Sequence, residues 1–170
     1  MKKIIVLSLM LPLLFSCSSF RTRSFGRNPK PDGITSFYEF SYSLLMRYPE
    51  KYYLVERDAE GRVNIAWSEQ GEEEIRVILA PEDFLARIHA IVSEHRLHKL
   101  RQSYLPRMKV LDGDMWRARI RFDRNSIHTG GSNARPPKEL KAGIDAINAL
   151  IREQIEASTE DDIIDRRKHD

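Results

Sequence analysis

The stretch that decides the fold is Trp116–Phe122, WRARIRF. Its apolar residues occupy every second position, and arginines occupy the positions between them. Side chains alternate between the two faces of a β-strand, so this pattern predicts a strand with one buried and one solvated face. An antiparallel sheet that carries a core on one side is the usual setting for such a strand.

Outward from this stretch, the same alternation and shorter apolar runs indicate further strands. We predict about six strands, at residues 37–44, 52–57, 63–68, 74–79, 116–122 and 126–129. Apolar residues at helical spacing predict one helix from Pro81 to about His98 and a second from Pro136 to about Ile155. The order ββββ-α-ββ-α predicts an α+β fold, with both helices packed on one face of a mostly antiparallel sheet.

The N-terminus has the pattern of an export signal. Residues 4–16 carry no charge and follow Lys2 and Lys3. This run is shorter than the roughly 20 residues that cross a bilayer, so we predict a signal peptide at 1–16. Leu14-Phe15-Ser16-Cys17 resembles the lipobox of bacterial lipoproteins. That resemblance implies cleavage before Cys17 and its acylation by chains such as palmitate, whereas an ordinary signal peptide with an incidental cysteine is the alternative.

Location and domain limits follow from this reading. No aspartate follows Cys17, which by the same resemblance implies a lipid anchor in the outer membrane, facing the periplasm of the cell envelope. We predict a flexible tether over 17–33, one α+β domain over 34–157 and a charged, disordered tail over 158–170. Cys17 is the single cysteine, so the domain has no disulfide. Loss of the two lysines lowers the net charge from +3 to +1, which argues against nucleic acid as a partner.

Two motifs flank the arginine-bearing strand. They are D-G-x-x-W over residues 112–116 and G-x-N-x-x-P over residues 131–136. Together with Phe40-Ser41-Tyr42-Ser43 they resemble a group of small bacterial lipoproteins and secreted domains. The resemblance covers most of residues 37–155 and implies an exported α+β domain, but it implies no activity. Thr129-Gly130 departs from the Ser-Gly pair that is more usual in that group.

Two sets of residues are candidate ligand-binding sites. Gly130-Gly131-Ser132-Asn133 is predicted to form a loop before a helix, where backbone N–H groups and Arg135 would attract an anion. The alternative is a strand-to-helix connection that needs glycine for its backbone angles. Arg117, Arg119 and Arg121 are predicted to share one strand face and to bind an acidic polymer or a lipopolysaccharide phosphate. A solvated face paired with acidic residues is the alternative there.

Residues typical of catalysis or metal binding are sparse. His95 and His98 lie three apart, but two ligands do not make a metal site, so we predict no metal and no cofactor. No catalytic fingerprint occurs in the sequence. We therefore expect a binding or structural module with a protein or glycan partner and an exposed arginine or aromatic patch. The aromatic residues concentrated in the first strands are Phe37, Tyr38, Phe40, Tyr42, Tyr52, Tyr53 and Trp67. The alternative is a cell-envelope hydrolase that combines His128, the glycine loop and Asp112 or Asp123.

Overall fold

The computed structural model describes residues 22–44, 48–108 and 113–169. Within these ranges the α-helices are α1 (Phe84–Glu94) and α2 (Lys138–Glu156), and short 3₁₀ helices span Leu97–Lys99 and Glu160–Asp162. The strands are β1 (Arg23–Phe25), β2 (Thr35–Ser43), β3 (Lys51–Arg57), β4 (Val63–Glu69), β5 (Glu74–Leu79), β6 (Ser103–Leu105), β7 (Met115–Phe122), β8 (Ser126–Ser132) and β9 (Ile163–Lys168). None of the described helices is long and apolar enough to cross a membrane. The predicted signal peptide and Cys17 lie outside the described residues.

One sheet contains all nine of these strands, in the order β1-β6-β8-β7-β2-β3-β4-β5-β9. Its neighbouring strands are antiparallel except for β6 and β8, which run parallel. The predicted α+β fold with a mostly antiparallel sheet and two helices is confirmed. The predicted number of about six strands is wrong, because the described residues form nine.

The three additional strands are β1, β6 and β9, and they have little apolar pattern. Every residue of β1 is exposed, and in β9 only Ile163 is partly buried. Strand β6 has three residues, of which Tyr104 alone is buried. Backbone hydrogen bonds to a neighbouring strand hold such segments, and those bonds do not depend on alternating side chains.

The core lies between one face of the sheet and both helices. Tyr38 and Ile120 are fully buried on this face of β2 and β7. Helix α1 adds Phe84 and Ile88 to the same cluster, and helix α2 adds Ile147. Each fully buried side chain of this size contributes about 1.5–3 kcal/mol to folding. On the opposite face of the sheet, which we call the open face, no helix of the described residues packs.

The predicted flexible tether is ordered from residue 22 onward. Strand β1 pairs with β6 at the edge of the sheet. The Asn28 side chain donates to the Leu100 carbonyl (2.9 Å) and accepts from the His128 backbone N–H (3.1 Å). Strand pairing and one asparagine side chain thus connect part of the predicted tether to the sheet, although this segment has few apolar residues.

The tail predicted to be disordered includes a short 3₁₀ helix and strand β9. Strand β9 pairs with β5, and the guanidinium of Arg166 lies 2.5 Å from the Glu74 carboxylate. Lys168 pairs with Glu73, just before β5, at 3.2 Å. His169 then packs edge-on against the ring of Tyr52, with centroids 5.1 Å apart. Backbone pairing with β5 and a few ion pairs with Glu73 and Glu74 therefore attach this segment to the sheet, although Arg166 lies directly opposite Arg76.

Candidate functional site

The arginine row, defined as Arg117, Arg119 and Arg121, lies on the open face of β7. Each arginine is exposed, whereas the alternate residues Trp116, Ala118, Ile120 and Phe122 are buried. The strand therefore has the two faces predicted from its sequence. Because β7 lies near the middle of the sheet, the row crosses the open face rather than its edge.

An aromatic ring positions two members of the row. Arg119 and Arg121 each lie 4.7 Å from the centroid of the Phe37 ring, which is 5% exposed. Arg119 also pairs with the Glu39 carboxylate at 2.9 Å. Cation–π contacts of this kind contribute about 0.5–1 kcal/mol at exposed sites and restrict the guanidinium groups to one plane. The contacts of Phe37 and Glu39 with the row were not predicted from the sequence, since register across two strands determines them.

Carboxylates do not neutralise the whole row. Arg117 contacts the sulfur of Met115 at 3.5 Å, and Arg121 contacts Phe37. Within the described residues, neither of these two arginines has a carboxylate partner within ion-pair distance. The predicted alternative, a face fully paired with acids, thus applies to Arg119 only.

A groove of about 600 Å³ runs beside the row on the open face. Gly130 lies opposite Arg117 in the register of β7 and β8, and its lack of a side chain leaves room between longer neighbours. A Cβ atom there would lie 2.9 Å from the Trp116 carbonyl oxygen. The lining of this open-face groove includes Glu39, Ser41, Leu105, Arg117, Arg119, His128, Gly130, Gly131 and Ser132.

The predicted glycine loop is strand rather than loop. Gly130, Gly131 and Ser132 belong to β8, and only Asn133 lies beyond the strand. The left-handed backbone at Asn133 (φ 49°) makes the turn that the glycines were expected to make. The glycines allow close packing against β7, since a Cβ at either position would lie within 3 Å of a neighbouring atom.

The two sequence motifs meet in the structure. We call their contact the clasp, formed by Gly113, Asp114, Trp116, Gly131, Asn133, Ala134 and Arg135. The Asp114 backbone N–H donates to Asn133 Oδ1 (3.1 Å), and Asn133 N–H donates back to the Asp114 carbonyl (2.9 Å). The clasp joins the start of β7 to the connection between β8 and α2. Its residue spacing is therefore a packing requirement.

Charge strengthens the clasp. Both carboxylate oxygens of Asp114 accept from the Arg135 guanidinium, one of them at 3.0 Å. The hydrogen bonds from Arg135 are the main reason that the pKa of Asp114 is lowered, and Tyr42 adds another hydrogen bond. Arg135 was a candidate anion ligand in the sequence, but this bidentate pair already satisfies it.

The residues expected of a hydrolase are only partly together. His128 lies on the open face, and its Nε2 is 2.7 Å from Ser126 Oγ. The Asp123 carboxylate instead accepts from the Ile34 backbone N–H at 3.0 Å and does not line the groove. Asp112 lies outside the described residues. The acidic residue that lines the groove is Glu39, which Arg119 holds.

The predicted aromatic patch is not exposed. Within the set named by its position in the first strands, Phe37, Tyr38, Tyr53 and Trp67 are buried. The remaining members are half-buried: Phe40, Tyr42 and Tyr52. The exposed patch in this part of the sheet is thus the arginine row, and the aromatic rings lie beneath or beside it.

The two helical histidines do not form a pair. Helix α1 ends at Glu94, earlier than predicted, because Arg96 has a left-handed backbone (φ 52°). His98 belongs to the following 3₁₀ helix, so the i, i+3 spacing no longer places it on the same face as His95. The described residues contain no group of three or more potential metal ligands.

The chain was compared with protein-family models and with curated proteins. No family model matches the chain. No curated protein matches it at a significant level. The features of the chain that bear on function are the side chains of the open face and the sequence pattern of the N-terminus.

Proposed function

We propose that the chain is a lipid-anchored lipoprotein of the bacterial cell envelope that binds an anionic glycan on the open face of its sheet. The observation that carries this proposal is the arginine row, in which Arg117 and Arg121 have no carboxylate partner among the described residues. Guanidinium groups bind carboxylate, phosphate and sulfate in a bidentate manner. Residues two apart on a strand are about 7 Å apart, so the row suits anions that repeat along a chain.

The composition of the open-face groove supports a glycan. Ser41 and His128 offer groups that hydrogen-bond to sugar hydroxyls, and Glu39 offers an acceptor beside the row. Nucleic acid is disfavoured because the net charge is +1 without the signal peptide lysines. The row supplies local positive charge on a nearly neutral protein, which favours a ligand with sparse negative groups.

A lipid on Cys17 would hold the folded domain close to the membrane, because few residues separate Cys17 from the first strand. Thr22, the first described residue, is five positions after Cys17, and five residues span at most about 18 Å. Thr22 lies in a shallow site with Leu44 and Arg135, at the end of the sheet where β7 begins. Acylation at Cys17 would hold that end of the sheet close to an outer-membrane surface, on its periplasmic side.

The first test concerns the arginine row. Arg117→Gln with Arg121→Gln is expected to weaken binding of sulfated or carboxylated oligosaccharides about tenfold, since each exposed ion contact contributes up to about 1 kcal/mol. Calorimetry with hyaluronan oligosaccharides, which carry one carboxylate per disaccharide, measures the loss. The wild-type affinity should also fall as salt is added.

A matched pair of substitutions controls for charge alone. Arg87 and Arg124 are exposed and lie off the open face, so Arg87→Gln with Arg124→Gln removes the same charge. This control should bind as the wild type does. Equal affinities for all three proteins, or equal binding of neutral dextran, would remove the open face as the binding surface.

The second test concerns the anchor. Cys17→Ala is expected to abolish incorporation of an alkyne-labelled fatty acid and to move the protein from the membrane fraction to the soluble fraction, since one or two acyl chains provide the attachment. Ser19→Ala, two positions away, should leave labelling and fractionation unchanged. If wild type and Cys17→Ala partition alike, the lipid-anchor proposal is wrong, whatever the glycan measurements give.

A second candidate function is hydrolysis, favoured by the 2.7 Å contact of Ser126 Oγ with His128 Nε2. A serine nucleophile activated by histidine requires a third group that orients the ring. No carboxylate in the described part of the chain hydrogen-bonds the His128 ring. The side chains around the groove therefore support binding more strongly than hydrolysis.

A further inference from the structure

A second cavity lies on the opposite side of the sheet, between α2 and the ends of β2, β3 and β7. We call it the helix-side cleft, and its volume is about 420 Å³. Its buried floor is formed by Tyr53 and Trp116, and its walls include Phe40, Tyr42 and Ile144. The cleft therefore combines four aromatic rings with an aliphatic side chain, which is typical of sites for the apolar part of a ligand.

Neighbouring groups fix these rings in place. The Phe40 and Tyr53 rings stack with centroids 6.4 Å apart. The Trp116 indole N–H donates to the Ala134 carbonyl at 2.6 Å. The Arg135 guanidinium lies 5.7 Å from the centroid of the Tyr42 ring while it pairs with Asp114. A preformed wall of this kind costs little to order when a ligand binds.

The exposed rim of the helix-side cleft carries basic side chains. Lys51 at the start of β3 and Arg152 on α2 are exposed cleft residues, and neither has an ion-pair partner among the described residues. Lys141 on the same rim pairs with Asp145 at 2.5 Å. Glu69, opposite Lys51 in the register of β3 and β4, accepts the Tyr53 hydroxyl at 2.6 Å.

One polar group inside the cleft is also available. The Tyr38 hydroxyl donates to Asn148 Oδ1 at 2.7 Å, which fixes that side-chain amide. Asn148 lines the cleft, and its NH₂ group remains a hydrogen-bond donor. The cleft thus offers an apolar floor, an amide donor and two unpaired cations, which together complement a molecule with an apolar body and one anionic group.

We propose that the helix-side cleft binds an anionic amphiphile, with its apolar body against Phe40, Tyr42 and Ile144. Its carboxylate, sulfonate or phosphate group lies at the rim between Lys51 and Arg152. This site is on the other face of the sheet from the arginine row, so it does not depend on glycan binding. The cleft lies at the same end of the sheet as Thr22, the first described residue, because Arg135 lines the cleft and also lies beside Thr22. A lipid headgroup with its chain and a soluble aromatic acid share the required chemistry.

The test uses 1-anilinonaphthalene-8-sulfonate, a fluorescent aromatic sulfonate, with the full chain carrying Cys17→Ala so that no attached lipid competes. Lys51→Glu with Arg152→Glu is expected to raise the dissociation constant at least about tenfold, because attraction becomes repulsion at the rim. Lys138→Glu with Arg87→Glu, which reverses exposed cations outside the cleft, should stay within about twofold of the parent. Far-ultraviolet circular dichroism and urea midpoints verify that each protein is folded.

Competition identifies the source of the ligand. Displacement of the probe by dodecyl phosphate supports a lipid, and displacement by 1-naphthoate supports a soluble aromatic acid. Displacement by neither, or equal probe affinity in the cleft variant and its control, overturns the assignment. Arg117→Gln with Arg121→Gln should bind the probe normally, so failure of the cleft and failure of the glycan surface give different results.

Discussion

Gly131→Ala is expected to lower the free energy of unfolding by about 3 kcal/mol, the upper range for inserting a methyl group into a tightly packed site. A Cβ at Gly131 would lie 2.5 Å from Trp116 Nε1 and 2.5 Å from the Ala134 carbonyl oxygen. These are the two atoms of the clasp hydrogen bond, so neither can move away without weakening it. Urea unfolding followed by tryptophan fluorescence measures the change from the midpoint and slope.

Gly61→Ala separates crowding from backbone strain. A Cβ at Gly61 would have no atom within 4 Å, and the cost there comes from its positive φ of 82°. That cost is about 1 kcal/mol. Similar losses for Gly131→Ala and Gly61→Ala would mean that Gly131 is not packed against the indole, and the clasp as described would be wrong.

The longer strands were predictable because burial on one face produces an alternation of apolar and polar residues in the sequence. Trp116, Ala118 and Ile120 alternate with arginines, and each set lies on the face expected of it. The edge strands β1 and β9 have no such alternation. The residues of β9 are placed by pairing with β5 and by contacts such as Arg166 with Glu74, which link positions far apart in the chain.

In the candidate site, too, features of a single strand were predictable and contacts between strands were not. The arginine row could be predicted, since three arginines on one strand must share a face. Their partners Phe37 and Glu39 could not, because the register of β2 against β7 brings them alongside. The glycine pair was misread for a related reason: Gly130 and Gly131 precede a helix in the sequence, but their small size is required by Trp116 on the neighbouring strand.

The helix-side cleft had no sequence signal at all. Lys51 and Arg152 are about a hundred residues apart and look like ordinary solvated charges. They become neighbours of one cavity only when α2 packs across the ends of β2 and β3. Sites of this kind depend on tertiary packing, which periodicity within one segment does not encode.

Trp116→Ala is expected to cost about 3–5 kcal/mol, the usual loss for truncating a large buried aromatic side chain. The indole is 3% exposed and stacks on Tyr104 with centroids 6.0 Å apart. Its N–H donates to Ala134, so truncation also leaves a carbonyl without its donor. Chemical denaturation followed by circular dichroism measures the loss in the free energy of unfolding. Fluorescence is less suitable because the variant has only Trp67, so its signal differs from that of the wild type.

Trp116→Phe divides this cost into packing and hydrogen bonding. A smaller aromatic ring is kept, while the donor to Ala134 and the five-membered part of the indole are lost, which is expected to cost about 1–3 kcal/mol. A loss as large as that of Trp116→Ala would assign nearly all the stabilisation to the N–H and the five-membered part of the indole. No loss would mean that water or another donor satisfies the Ala134 carbonyl, and the clasp would then be a packing contact only.

Combining the two sites tests the clasp as a unit. The crowding at Gly131→Ala arises partly from Nε1 and Cε2 of Trp116, at 2.5 and 3.1 Å. Phenylalanine lacks these indole atoms, so the added methyl group should cost less in the Trp116→Phe background. Residues in direct contact usually show coupling energies of about 0.5–3 kcal/mol, and we expect about 1 kcal/mol of relief in the double variant. If the costs of the two single substitutions add exactly, the methyl group does not contact the indole. Substitutions at groups in direct contact are expected to have costs that do not add.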